Sequence, residues 1–132
     1  MRYAIDAPTL LLIAMGEITL HPSHTLVAPN RVLPDLLGIL LTEVRSGERA
    51  EKDALTLHTR ATETKIRLLG NRVSRRSAWN LAREHDWPDL RLAEYLAVAK
   101  LQADALATAD GELIRAAGSL VTVVEPATLS QP

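Results

Sequence analysis

Residues 93–110 read AEYLAVAKLQADALATAD. The first half continues a helix that Asp89 caps and that spans Leu90 to Gln102. The second half, Ala105 to Thr108, is a short strand followed two residues later by an acid, Asp110. The chain opens in the same way. Tyr3-Ala4-Ile5 forms a short buried strand ending at Asp6, and Pro8 turns the chain because it cannot sit in a central ladder.

Between these ends, strands and helices alternate. Thr9 to Met15 forms a short helix. Thr25 to Ala28 is a strand bounded by Pro22 and Pro29. Arg31 to Val44 carries apolar residues at helical spacing, with Pro34 in the first turn, where its missing N–H costs nothing. A charged loop, Glu48 to Asp53, leads to a helix running to about Leu69, which Gly70-Asn71 stops. Ser74 caps a helix through about His85, and Trp87-Pro88-Asp89 breaks the chain again. Asp110 opens a short helix and Leu120 to Val124 is a last strand. Strands separated by helices predict an α/β three-layer sandwich, a short, mainly parallel sheet flanked by helices. Residues 1–126 form a single domain and residues 127–132 a flexible tail.

The length of 132 residues suits one such domain. Hydrophobic residues at 47% and charged residues at 23% allow a core and exclude a disordered chain. With no Phe, two Trp and two Tyr, that core is aliphatic. No Cys is present, which excludes disulfides, zinc–thiolate sites and thiol nucleophiles and fits a cytoplasmic protein. The apolar stretch from Ala7 to Gly16 is far shorter than the ~20 residues of a membrane span, so no membrane association is expected. A net charge of −1 gives no global attraction to nucleic acid, and any such binding must be local.

The acids carry the candidate chemistry. If the first and third strands are parallel neighbours, Asp6 and Asp110 meet at one sheet edge, where ligands of such sheets bind. Asp35, one turn into its helix, points toward the same edge. Three carboxylates in one place repel each other unless a cation joins them. A hard ion with oxygen ligands, Mg²⁺ or Mn²⁺, suits that set and can orient a phosphodiester and activate water. Each acid also has a purely structural explanation. Asp6 suits a turn before Pro8, Asp35 suits the helix dipole, and Asp110 suits an N-cap.

The order of these stretches resembles the PIN domain, in particular the VapC-type toxin ribonucleases of bacterial toxin–antitoxin pairs. The matching stretches are Tyr3 to Leu11, Val27-Ala28-Pro29 with Asp35 six residues on, Leu68 to Val73, and above all Ala93 to Asp110, which matches a helix leading through a strand to Thr-x-Asp. The resemblance covers nearly the whole chain. It implies an endoribonuclease with Asp6, Asp35 and Asp110 as its catalytic metal ligands, Thr108 supporting them, an RNA substrate, a cognate antitoxin that fills the groove, and a homodimer.

One position departs from that pattern. Such domains usually place a further acid three residues before the tyrosine of the last long helix, and Leu92 stands there. Glu94 is turned about 200° from it and should face elsewhere. Asp89 lies closer to the right face and is the candidate substitute, unless it serves only as the helix cap. The departure supports an alternative, a catalytically weakened PIN fold that binds RNA or an antitoxin without efficient cleavage. A response-regulator-like domain also clusters acids at strand ends, but it needs a lysine beside them, and Lys100 lies along a helix remote from them.

Basic residues concentrate between Arg60 and Trp87. Arg72, Arg75 and Arg76 are the candidate RNA contacts, and a solvated helix face is the plainer explanation. Asn30 and Thr9 can face the cleft. Trp79 and Trp87 suit base stacking or packing. The four histidines show no metal-binding spacing.

Overall fold

Tyr3, Ala4 and Ile5 are all but inaccessible to solvent, and the sheet is built around them. They belong to β1 (Arg2–Ile5). The other strands are β2 (Thr25–Pro29), β3 (Arg67–Leu69), β4 (Ala105–Ala107) and β5 (Val123–Val124). Their order is β3-β2-β1-β4-β5, and every pairing is parallel. The computed structural model describes all 132 residues. Register places Tyr3 opposite Leu26 on one side and Ala105 on the other, and Ile5 opposite Ala107. Asp6 and Thr108 therefore leave their strands at the same level, at the carboxyl edge.

A parallel sheet has no polar face, so helices must cover it. The chain supplies α1 (Ala7–Ala14), α2 (Val32–Arg45), α3 (Glu51–Glu63), α4 (Arg72–His85), α5 (Arg91–Gln102) and α6 (Gly111–Ala117). Helix α5 lies against β1, β2 and β4 and packs on α4, while α1 packs with α2 and α3. The result is the expected three-layer α/β sandwich. Residues Leu92, Ala93 and Tyr95 to Ala99 are all buried, so α5 is the innermost helix. Its alanines allow it to sit close to the strands, and its leucines fill the space between. No helix is long and apolar enough to cross a membrane.

Four local expectations need correction. The helix expected to reach Leu69 ends at Glu63, and Arg67–Leu69 is strand β3. Arg and Leu favour a helix locally, but pairing with β2 overrides that preference. Helix α4 is capped by Asn71, whose side chain accepts from the Ser74 amide at 2.8 Å, and Ser74 lies within the helix. Gly70 is not a left-handed stop. A Cβ there would fall 2.0 Å from the Asn30 side-chain nitrogen, so the glycine makes room for Asn30. The expected flexible tail is a 3₁₀ turn at Pro126–Ser130, with Leu129 fully buried and its carbonyl accepting from the His21 amide at 2.8 Å.

Candidate functional site

Asp6 follows β1 directly and is the N-cap of α1. The residue is almost wholly buried, at 3% exposure, which is costly for a carboxylate unless both oxygens are bonded. They are. Oδ1 accepts from the Thr9 amide at 3.1 Å, and Oδ2 accepts from the Thr108 hydroxyl at 2.5 Å. Thr108 Oγ1 in turn accepts from the Asp110 amide at 3.0 Å. Thr9 is buried beneath the site and donates its own hydroxyl to the Ala107 carbonyl at 3.1 Å. One threonine thus ties both strand-end acids together.

Asp110 caps α6, its Oδ1 accepting from the Glu112 amide at 2.9 Å and the Leu113 amide at 3.4 Å. Its Oδ2 lies 3.9 Å from Arg91 Nη1. Asp35 stands in the first turn of α2. Its Oδ2 accepts from the Tyr95 hydroxyl at 2.7 Å and from Arg31 Nε at 3.1 Å, while its Oδ1 accepts no hydrogen bond. Arg31 Nη1 also donates to Glu94 Oε2 at 2.8 Å.

These contacts shift two proton equilibria. Burial and the bond to Asp35 push the Tyr95 phenol well above the ordinary tyrosine range. For Arg31, burial opposes the charge, but the bonds to Glu94 and Asp35 outweigh it and hold the guanidinium protonated still more firmly.

Asp6, Asp35 and Asp110 line one open cleft of about 570 Å³, together with Tyr95 and Arg91. Yet no three acidic or histidine side chains stand close enough to form a ready-made cation cage. The neighbours explain the spacing. Asp35 is drawn toward Arg31 and Tyr95, and Asp110 is turned toward the first amides of its own helix. The donor set still suits a hard cation. Asp35 Oδ1 and Asp110 Oδ2 are the oxygens left open by these bonds, and Mg²⁺ readily completes its shell with water.

The remaining candidates fall in three places. Asp89 does not join the cleft. It accepts from the Arg91 amide at 2.9 Å and lines a separate hollow with Trp79, Trp87 and Leu90. Leu92 is buried in the core. Asn30, Arg31, Ser74, Arg75 and Glu94 line a neighbouring hollow of about 340 Å³. Arg72, Arg75 and Arg76 are exposed near the start of α4, and only Arg75 lines that hollow. Trp79 is exposed, whereas Trp87 stacks on His85 at 4.7 Å.

Sequence reasoning overlooked Arg31, Tyr95 and Arg91. Arg31 and Asp35 stand at i,i+4, a spacing that announces a helical ion pair. Glu94 faces away from the acidic cleft as expected, but it reaches Asp35 through Arg31. Nothing in the sequence marks Arg91.

No family model matches the chain, and no curated protein matches it. Among solved structures, the crystal structure of PAE2754 from Pyrobaculum aerophilum is similar, with a TM-score of 0.72 over 98% of this chain and 92% of that one, at 22% identity. At that identity the likeness establishes a shared fold.

Proposed function

We propose that this chain is a metal-dependent endoribonuclease of the PIN type, the toxin of a toxin–antitoxin pair acting in the cytoplasm. The observation that carries this proposal is the convergence of Asp6, Asp35 and Asp110, from three different elements, on one cleft at the carboxyl edge of the sheet. Asp6, Asp35 and Asp110 would hold Mg²⁺ or Mn²⁺ through carboxylate oxygens, with water filling the rest of the shell. When bound, such an ion orients an RNA phosphodiester and makes a coordinated water a stronger nucleophile.

The chain's own groups prepare that site. Thr108 donates to Asp6 and, with the Thr9 amide, holds that carboxylate in place at the floor of the cleft. The same threonine fixes the backbone before Asp110. Tyr95 stays protonated and donates to Asp35, which leaves the other oxygen of that carboxylate open. Arg72, Arg75 and Arg76 would draw in the RNA backbone. The partners that go with this function are a cognate antitoxin and a second copy of the chain.

The test is cleavage of single-stranded RNA with Mg²⁺ or Mn²⁺. Wild type should cut, and Asp6→Asn should lose at least about 100-fold, because one carboxylate ligand is gone. Equal cleavage by both proteins would assign the activity to a contaminant.

A second possibility is a weakened PIN fold that binds RNA or an antitoxin with little cleavage. Burial of Leu92 favours it, since the family's usual further acid is absent and no other acid takes its place in the cleft. Leu92→Asp separates the two. It should cost roughly 3 kcal/mol of stability by burying an unpaired charge. If the missing ligand limits the rate, Mn²⁺ should restore part of that stability and cleavage should rise. Unchanged cleavage with intact folding would show that the gap is not the limitation.

A further inference from the structure

The first turn of α5 offers the cleft a cation where an acid is missing. Leu92 goes into the core, and Arg91, the residue before it, lines the cleft beside Asp6, Asp35 and Asp110. Asp89 accepts from the Arg91 amide at 2.9 Å from outside the helix, whose N-cap is Leu90 and not the expected Asp89. The guanidinium is only partly committed. Nη2 donates to Glu112 Oε2 at 3.1 Å, but Nη1 stays 3.9 Å from Asp110 Oδ2, beyond hydrogen-bonding distance. Glu112 is on the rim, its side chain 59% exposed. Arg31 cannot play this part, because Asp35 and Glu94 already occupy it.

Charge gives the arrangement a purpose. Three carboxylates with one divalent ion remain net negative, and that field repels a phosphodiester. A guanidinium on the cleft wall reduces that excess, although Glu112 offsets part of its charge, and presents N–H donors to phosphate oxygens. We propose that Arg91 is the phosphate-binding residue of this cleft, gripping a non-bridging oxygen of the nucleic-acid backbone and supplying positive charge that a second metal ion would otherwise bring. The assignment deepens the ribonuclease proposal and rests on it.

The experiment compares wild type, Arg91→Gln and Arg91→Lys in the full chain. The first measurement is binding of a fluorescent single-stranded RNA in EDTA, across a salt series. Arg91→Gln should weaken binding about tenfold at low salt and lower the slope of log affinity against log salt by about 0.7, the change for one lost phosphate contact. Arg91→Lys should recover most of the slope, since it keeps the charge, and part of the affinity, since it loses the fork. The second measurement is Mn²⁺ uptake, which Arg91→Gln should leave unchanged or tighten. The third is RNA cleavage, which Arg91→Gln should reduce. Unaltered RNA affinity and slope in Arg91→Gln would overturn the assignment. So would a gain in cleavage, which would make Arg91 a lock on Asp110. If wild type takes up no Mn²⁺ while Arg91→Gln still lowers the salt slope, the phosphate contact stands and the metal proposal falls.

Discussion

Tyr95 shows how one hydroxyl can set both stability and site geometry. It is buried in α5 and donates to Asp35 across the cleft at 2.7 Å. Removing the hydroxyl in Tyr95→Phe should cost about 1 kcal/mol, the usual worth of such a bond to a partly exposed partner. The pH dependence has a definite sign. Above about pH 10 the tyrosine of an unfolded chain releases its proton. The native state, with its raised phenol, keeps that proton, so it binds more protons than the unfolded state and loses stability as pH rises. Urea unfolding from pH 8 to 11.5 should show this decline, and Tyr95→Phe should flatten it. A slope identical in both proteins would place the cause elsewhere. At this scale the acids were legible. Asp6, Asp35 and Asp110 stand out because strands end beside them or a helix begins under them, and the structure brings all of them into one cleft. The pairing of Arg31 with Asp35 was open to view at its i,i+4 spacing, but the reach of Arg31 to Glu94 and the place of Arg91 were not. Long side chains reach partners chosen by tertiary packing, and neighbours in sequence do not reveal those partners.

Elements were readable where pattern and environment agree. The strand residues of β1, β2 and β4 are buried runs punctuated by Pro or an acid, and they fall where expected. Strand β3 was hidden because Arg67-Leu68-Leu69 carries good helix formers and only Leu69 is buried. Its strand character comes from the neighbouring β2, which the local sequence does not contain. The turn at Pro126–Ser130 was hidden for a related reason. Its few polar residues look like a tail, yet one leucine anchors it beside β4. Leu129→Ala should therefore destabilise the chain by roughly 2–4 kcal/mol, as deletion of a fully buried leucine does. Thermal or urea unfolding measures it, and a loss below about 0.5 kcal/mol, typical of surface positions, would show the segment to be dispensable.

The whole molecule sets its chemistry by strand order. With β1 central between β2 and β4, the carboxyl ends of these strands deliver Asp6, α2 and Thr108 to one edge. Helix α5 crosses behind them and contributes Tyr95 and Arg91 to the same cleft. The global charge of −1 is uninformative, because charge is grouped locally, with three acids in the cleft at the sheet edge and four arginines on α4. The proposed chemistry requires this edge to bind a divalent cation through three carboxylates. Titration of the metal-free chain with Mn²⁺, followed by electron paramagnetic resonance, measures that binding. One ion should bind per wild-type chain, with affinity lost at least about tenfold in each of Asp6→Asn, Asp35→Asn and Asp110→Asn. No uptake by wild type, or equal uptake by wild type and all three variants, would show that these carboxylates hold no such ion.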